Sequence, residues 1–313
     1  MSDATQLSCP IHVSTTRGGA PQQDVQCGIS VWAPFPEQDK HTAIFYLHGG
    51  GLLFGGREDL PQEYRDLVCS RGYTLVAADY PLAPEVFVTE INRVVFDIWT
   101  WCEENVFAPR SITRAFLFGR SAGAYLALML AHNIQKATSS LAAASQTPEL
   151  LGVIDFYGYY TLSGLMDAAL KQPGPYFRRV APRIAPTMAR KLVGTTVLTS
   201  ASLEKRLALY IYARQSGCWG ELIGSDEGKA HGQELGTDDI LALPPLYIAA
   251  STQDMDVPYA CSLELSHTAP DATLFTVSDL DHDFDRDPTV AQAQQAWEGW
   301  LAWADERVAA ARA

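Results

Sequence analysis

A five-residue motif, Gly119-Arg120-Ser121-Ala122-Gly123, lies where an apolar run meets a helical pattern. The run AFLF at 115–118 precedes the motif, and the apolar segment AYLALMLA follows it directly. A strand that turns at once into a helix holds its central residue in a tight turn, and glycines at 119 and 123 let the backbone pack that closely. The hydroxyl of Ser121 is then exposed to attack. The motif therefore predicts a nucleophilic serine rather than a glycine-rich turn with an idle one.

Apolar runs and amphipathic segments alternate along the chain. Short apolar runs typical of buried parallel strands occupy 43–47, 74–78, 115–118, 243–250 and 273–277. Apolar residues at the three- and four-residue spacing of amphipathic helices occupy 90–105, 122–135 and 290–310. This alternation predicts an α/β fold, with a mainly parallel sheet covered by helices on both faces.

The alternation stops in the segment 158–240, which is aromatic, interrupted by prolines and locally basic. We interpret this segment as an inserted cap, with a helical stretch at 203–215. The residues on either side, 1–157 and 241–313, then form one catalytic domain. A chain of 313 residues has the length expected for one large domain with an insertion.

Charge and terminal sequence limit the classes of partner and location. A formal net charge of −13 argues against a nucleic-acid partner, because phosphate binding needs a basic face. The sequence MSDATQLSCP lacks the basic and apolar regions of a secretory signal, which favours a cytoplasmic location. The run AYLALMLA falls short of the roughly 20 residues that a membrane span needs, so none is expected.

Cysteine usage points to the same compartment. No C-x-x-C pair or dense cysteine framework is present, which favours reduced thiols over disulfides or a zinc site. The six cysteines are Cys9, Cys27, Cys69, Cys102, Cys218 and Cys261.

A second glycine-rich motif, His48-Gly49-Gly50-Gly51, follows the strand pattern at 43–47. Ligands of parallel sheets bind at the carboxyl ends of the strands, where this loop lies. Its backbone N–H groups can point at a developing oxyanion, and we expect Gly50 and Gly51 to act with the N–H of Ala122. A phosphate-binding loop is the alternative, but the G-K-[ST] sequence and the dinucleotide spacing are missing. A purely structural turn is the other alternative.

The HGGG motif, the sequence DYPLAPE at 79–85 and GRSAG together resemble the hormone-sensitive-lipase branch of the α/β hydrolases in order and spacing. The resemblance extends over 43–285 and is weakest in the cap. It implies the α/β-hydrolase fold and a serine esterase, with an oxyanion hole formed by Gly50, Gly51 and Ala122. Two residues differ from the pattern common in that branch. Arg120 replaces an acidic residue, and Pro81 replaces the arginine of DYRLAPE.

A serine nucleophile needs a histidine base, which this fold places downstream of the serine. His282 follows the last predicted strand, at the position where the fold carries its base. The other downstream histidines are His132 on the helix after Ser121, His231 in the cap and His267 at a helix end. We expect these three to be surface or packing residues and His282 to be the base.

The base needs an acid to orient it, and Asp254 follows the strand pattern at 243–250, where the fold carries this acid. Asp256 is the alternative. We expect Asp256 instead to accept backbone N–H groups at the start of the helix after Pro258. Asp79 precedes the serine and Asp155 lies at the start of the cap, so both are interpreted as structural.

Aspartates at alternate positions around His282 superficially resemble a calcium loop: Asp279, Asp281, Asp283, Asp285 and Asp287. The sixth position is Phe284 rather than glycine and the twelfth is Val290 rather than glutamate, so a metal site is not expected. The carboxylates are expected to raise the pKa of His282.

These residues predict a carboxylic-ester hydrolase with Ser121, Asp254 and His282 as catalytic residues and a small-molecule ester of small or medium acyl size as substrate. No cofactor or metal is expected. An amidase or peptidase with the same residues and a non-catalytic binding module of the same fold remain alternatives. The sequence leaves the oligomeric state open.

A basic cluster within the predicted cap comprises Arg178, Arg179, Arg183, Arg190 and Lys191. We interpret it as a solvated face paired with carboxylates of this acidic chain. A binding site for acidic substrates is the alternative.

Overall fold

The computed structural model describes residues 4–15, 22–140, 147–163, 166, 183–225 and 233–312. Strands in these residues are β1 (Thr5–Ser14), β2 (Gln22–Trp32), β3 (Thr42–Leu47), β4 (Thr74–Ala78), β5 (Arg114–Arg120), β6 (Glu149–Phe156), β7 (Leu246–Ser251) and β8 (Ala272–Val277). Helices are α1 (Gln62–Ser70), α2 (Val88–Cys102), α3 (Ala122–Ser140), α4 (Pro186–Lys191), α5 (Leu203–Ser216), α6 (Trp219–Ile223), α7 (Thr237–Leu241), α8 (Tyr259–Thr268) and α9 (Ala291–Ala310).

The described strands form one sheet of eight in the order β1-β2-β4-β3-β5-β6-β7-β8. The neighbours from β4 to β8 pair in parallel. The carboxyl ends of β3 and β5 to β8 therefore lie along one edge of the sheet. This arrangement confirms the predicted α/β class and its mainly parallel sheet.

The central strands are buried on both faces, which explains why they appear as continuous apolar runs. In β3, Phe45 and Leu47 join the core packed by α2 and α3, whereas Ile44 and Tyr46 join the core packed by α1 and α9. Side chains of a strand alternate between its two faces, so a fully apolar run supplies two cores.

The two antiparallel strands β1 and β2 at the sheet edge are missing from the sequence prediction. Their signal is an alternation in which Cys9, Ile11 and Val13 are buried between exposed residues. Such a pattern marks a strand with one solvated face, and it differs from the apolar runs used to find the others. All six cysteines of the chain are free thiols.

The chain leaves the sheet after β6 and returns at β7, which pairs directly with β6. The described residues between these strands contain the helices α4 to α7. The predicted helix at 203–215 is confirmed as α5. The division at residues 158 and 240 into a catalytic domain and a cap stays a prediction. No helix in the described ranges is both long and apolar enough to cross a bilayer.

Candidate active site

Ser121 occupies a tight turn between the end of β5 and the first residue of α3. Its φ of 53° lies in the left-handed region, a sign of backbone strain for a residue other than glycine. A Cβ on Gly119 would lie 2.1 Å from the carbonyl oxygen of Gly123, and one on Gly123 would lie 2.1 Å from that of Leu47. Both positions therefore require glycine. The N–H of Ser121 donates to the carbonyl of Phe156 at 2.8 Å, which fixes the turn to the sheet.

Ser121, His282 and Asp254 form one continuous hydrogen-bonded chain. The Nε2 atom of His282 lies 2.9 Å from Oγ of Ser121, and its Nδ1 atom lies 2.6 Å from Oδ2 of Asp254. The three residues follow β5, β8 and β7, so one edge of the sheet brings them together. A neutral imidazole with its proton on Nδ1 would donate to Asp254 and accept the hydroxyl proton of Ser121.

The carboxylate of Asp254 is oriented by its own loop. Its Oδ1 accepts the N–H groups of Asp256 and Val257, both at 2.8 Å, which leaves Oδ2 for His282. The side chain of Asp254 is only 2% exposed. Backbone hydrogen bonds thus hold the acid in the one orientation that reaches the histidine.

The predicted role of Asp256 at the start of α8 is wrong. Among the described residues no side-chain cap bond is found at that end of α8. Instead, Oδ2 of Asp256 accepts the hydroxyl of Tyr210 at 2.5 Å, and Oδ1 lies 2.9 Å from Nε of Arg214. Both partners belong to α5. Asp256 therefore joins the loop of Asp254 to that helix, because its carboxylate lies close to two polar groups of α5.

The alternative histidines lie away from this chain of hydrogen bonds. His132 is buried in α3, with Nδ1 3.5 Å from Asp239, and burial lowers its pKa, as does Lys136. His267 lies in the last turn of α8, and His231 lies outside the described residues. In the part of the chain that the structure describes, Ser121 has His282 as its histidine partner.

Asp79 and Asp155, interpreted as structural from the sequence, have partners elsewhere. Asp79 accepts the backbone N–H of Arg57 at 2.8 Å and forms an ion pair with its guanidinium. Asp155 accepts the N–H of Gly158 at 2.7 Å through Oδ1. No hydrogen-bond partner is found for Oδ2 of Asp155 among the described residues. Burial raises the pKa of this carboxyl to about 7, partly offset by the Gly158 bond.

The aspartates at 279–287 point to separate partners rather than to one centre. Their contacts are Gln253 for Asp279, the N–H groups of Met255 and His282 for Asp281, Arg286 for Asp283, Arg120 for Asp285, and Thr289 for Asp287. Each carboxylate has a different protein partner, which is unlike the convergent set of a calcium loop.

The glycine loop after β3 lies beside Ser121, since a Cβ on Gly49 would lie 3.5 Å from Cβ of Ser121. Gly50 and Gly51 have φ values of 105° and 59°, and a Cβ on either would lie within 2.3 Å of Phe54 or Tyr210. The carbonyl of Gly51 accepts Nε1 of Trp219 at 2.8 Å, which anchors the loop from α6. These positions need glycine on two grounds, the positive φ and the lack of space for a side chain.

The N–H groups of Gly50, Gly51 and Ala122 form no hydrogen bond to another described residue outside regular helix and strand pairing. Ala122 is the first residue of α3, so its N–H also has no partner within the helix. Free N–H groups at a glycine loop and a helix N-terminus favour a negatively charged oxygen there. The predicted oxyanion residues thus remain available for that role.

The pKa of His282 results from opposing effects. Burial lowers it, because the charged imidazolium loses its water, but the adjacent Asp254 carboxylate, with Asp256 and Asp283, raises it above the ordinary histidine value. The net direction is upward. The imidazolium that forms when Ser121 gives up its proton is therefore stabilised by its carboxylate neighbours.

A cavity of about 980 Å³ contains Ser121 and His282 in its wall. Apolar and aromatic side chains lining it are Phe54, Leu203, Leu207, Tyr210, Ile211 and Met255. Charged side chains lining it are Arg57, Glu58, Asp59, Arg120, Arg286 and Asp287, among others. The volume is that of sites for drug-sized ligands. The cavity therefore has space for a small-molecule ester.

The described members of the predicted basic cluster are separate from this cavity wall. Arg183, Arg190 and Lys191 are exposed and are not among the residues lining the cavity. Arg178 and Arg179 lie outside the described residues. The described members agree with the interpretation of a solvated face.

Arg120 and Tyr157 are site residues that the sequence analysis did not identify. Tyr157 packs against the imidazole of His282, with ring centroids 4.7 Å apart, and Arg120 donates to its hydroxyl. The sequence signal that could have identified them is Arg120 itself. It stands between Gly119 and Ser121, where the family that this sequence resembles often has an acidic residue.

A family model and several solved structures are similar to this chain. A family model described as the alpha/beta hydrolase fold matches residues 44–215, more than half of the chain. An alpha/beta hydrolase superfamily protein from Enterococcus faecalis is 27% identical, with a TM-score of 0.77 over 90% of this chain and 96% of that one. A protein of unknown function from Staphylococcus aureus is also 27% identical, with a TM-score of 0.76 over 96% and 99% of the two chains.

An esterase from Pyrobaculum calidifontis is 18% identical, with a TM-score of 0.60 over 98% of this chain and 86% of that one. At this identity the similarity concerns the fold alone.

Proposed function

The chain belongs to the alpha/beta-hydrolase family, and we propose that it is a carboxylic-ester hydrolase that forms an acyl-enzyme on Ser121. The observation that carries the proposal is the hydrogen-bonded chain from Asp254 through His282 to Ser121. A serine hydroxyl becomes a competent nucleophile when a positioned histidine accepts its proton. The Pyrobaculum protein, which has a similar fold, is an esterase, and this analogy supports the proposed activity.

In the proposed reaction, His282 Nε2 accepts the proton of Ser121 as Oγ attacks the ester carbonyl. The resulting tetrahedral intermediate collapses when the imidazolium gives that proton to the leaving alcohol. Water then attacks the acyl-enzyme with His282 again as base, which releases the carboxylic acid and frees Ser121. Asp254 accepts a hydrogen bond from Nδ1–H of His282 throughout, which fixes the imidazole and stabilises its charged form.

The negative oxygen of the tetrahedral intermediate is proposed to bind the N–H groups of Gly50, Gly51 and Ala122. Each such donor contributes on the order of 3 kcal/mol to transition-state stabilisation when it is rigidly placed. The positive φ values of both glycines and the Trp219 anchor support a loop held in place before substrate binds.

We propose a small-molecule ester as substrate, a reaction without cofactor or metal, and a cap formed by the segment 158–240. Six free thiols suit a reducing compartment and support a cytoplasmic location. The cavity volume supports small or medium acyl esters.

Matched substrates test the proposal and separate it from its nearest alternative. A 4-nitrophenyl butyrate ester and the corresponding 4-nitroanilide should be assayed with the wild-type chain and with Ser121→Ala. We expect turnover of the ester above the Ser121→Ala control and slower turnover of the amide. Faster amide turnover would assign an amidase or peptidase. A folded wild-type chain that binds the ester without turning it over would assign a non-catalytic binding protein.

A further inference from the structure

Arg120 carries a buried charge that the proposed reaction does not use. It is the last residue of β5, directly before Ser121, and is only 6% exposed. Its Nη2 atom lies 2.8 Å from Oδ1 of Asp285, which is fully buried. Burying an ion pair costs desolvation energy on both groups, and apolar residues of similar volume are often equally stable. Stability alone is therefore a weak reason for this pair.

The pair is part of a hydrogen-bonded network with fixed geometry. Nε of Arg120 donates to the hydroxyl of Tyr157 at 2.8 Å, and this hydroxyl donates to Oδ1 of Asp285 at 2.6 Å. Nε1 of Trp297 donates to Oδ2 of Asp285 at 3.1 Å. Both carboxylate oxygens are thus engaged, and the planar guanidinium fork determines where the phenol oxygen lies.

This network reaches His282 from two sides. The ring of Tyr157 meets the imidazole edge to face, at 4.7 Å and 61°. Asp285 lies three residues after His282 on the same loop, so its bond to Arg120 ties that loop to the strand carrying Ser121. Tyr157 is itself held at the end of β6 by a hydrogen bond from its N–H to the carbonyl of Ala249.

We propose that Arg120, Tyr157 and Asp285 are positioning residues that hold the imidazole of His282 against Ser121. The expected effect on turnover rests on the proposed function. The expected effect on the position of His282 rests on the contacts alone. Asp254 fixes the imidazole through Nδ1, and the Tyr157 ring restricts its rotation. Small displacements of a catalytic group are costly, since a misplacement of about 1 Å lowers rates by about a hundredfold.

The first variant removes one oxygen atom from the network. Tyr157→Phe keeps the ring but releases it from Arg120 and Asp285. We expect kcat for the ester to fall about tenfold, with KM changed by less than about twofold, because orientation rather than binding is lost. Tyr64→Phe is the matched control, since Tyr64 stacks on Trp297 and its hydroxyl has no partner among the described residues. We expect kcat of this control to match the wild type.

The second variant separates positioning from stability. Arg120→Met combined with Asp285→Leu replaces the ion pair by an apolar pair, which leaves no unpaired buried charge. We expect a folded variant with a Tm lowered by several degrees, because the Tyr157 hydroxyl and Nε1 of Trp297 lose Asp285 as acceptor. Its kcat should be about tenfold to a hundredfold lower. A folded variant with a lowered Tm but the kcat of the wild type would show that the network is merely structural.

A spectroscopic readout tests the contacts without any turnover. The low-field NMR resonance of the proton between His282 Nδ1 and Asp254 should broaden in Tyr157→Phe and in the double variant, and stay sharp in Tyr64→Phe. Unchanged kcat and unchanged resonance in folded variants would overturn the inference. A wild-type chain without ester turnover would refute the proposed function, and the resonance would still decide whether the network positions His282.

Discussion

The edge of the sheet and the helix α5 both border the cavity, but they are held in place by different means. Ser121, Asp254 and His282 each follow a strand of the parallel sheet, so backbone pairing sets their positions. The helix α5 buries Leu209 and Ala213 in the core and is also attached through two arginines. Arg206 pairs with Glu85 at 2.7 Å, and Arg214 pairs with Asp256 at 2.9 Å, with both arginine side chains at most 4% exposed.

The two modes of attachment affect different properties. The sheet determines the geometry of the proposed catalytic residues, and α5 determines the shape of the cavity. Backbone pairing in a buried sheet tolerates changes of surface side chains, so the proposed catalytic residues keep their geometry. Two buried ion pairs are local and can be broken one at a time. The wall formed by α5 is therefore the part that single substitutions alter most easily.

The largest difference is expected between two aspartates of one loop. Asp254→Asn is expected to lower kcat by on the order of 10³–10⁴, because the histidine loses the acceptor that sets its tautomer. Asp256→Asn should change kcat by less than about tenfold, while its weakened contacts to Arg214 and Tyr210 cost about 2 kcal/mol of stability. Steady-state kinetics and denaturant unfolding of both variants measure this. The reverse pattern would assign the acid to Asp256.

The two arginine attachments of α5 can be broken separately. Arg206→Met and Arg214→Met each remove the arginine partner of a carboxylate and should each lower the free energy of unfolding by about 3 kcal/mol. Only Arg214→Met should also lower kcat, severalfold, because Asp256 belongs to the loop of Asp254. Equal kcat values for the two folded variants would show that α5 and the acid loop are independent.

The pH dependence of kcat/KM reports the protonation of His282, which lies at the sheet edge. A general base must be neutral to accept the proton of Ser121, so activity should fall as His282 becomes protonated. Since the pKa of His282 is raised by its carboxylate neighbours, the acidic limb of kcat/KM should lie above the ordinary value of about 6.5. Asp283→Asn should move this limb downward. A limb well below 6.5 in the wild type would contradict the account.

The smallest effect on kcat is expected at Asp155, where the chain leaves the sheet, because its titration affects stability. Its folded-state pKa of about 7 exceeds the unfolded value of about 3.9, so the folded state retains a proton that the unfolded state releases. Stability conferred by the protonated carboxyl is therefore lost as pH rises from about 4 through 7. Asp155→Asn should become more stable relative to the wild type over this range in denaturant unfolding. A stability difference between the two proteins that stays constant over this range would show that the pKa of Asp155 is not raised in the folded state.

The sequence predicted five of the parallel strands, though not β6, and the three residues that follow strands, because local patterns determine both. A glycine-flanked serine, an aspartate and a histidine each stand directly after an apolar run, and the sheet brings such positions together. The contacts of Asp256 with α5 and of Tyr157 with Arg120 were missed. They join residues 42 and 37 positions apart whose neighbours carry no periodic signal. Only the packed structure pairs them.

Ser121 is the proposed nucleophile, and a covalent adduct on it can be mapped. The wild-type chain and Ser121→Ala should be treated with a fluorophosphonate, digested and examined by mass spectrometry. We expect one adduct on the peptide that contains Ser121 and none in the folded Ser121→Ala variant. An adduct on a different residue, or no adduct on the folded wild-type chain, would contradict this assignment.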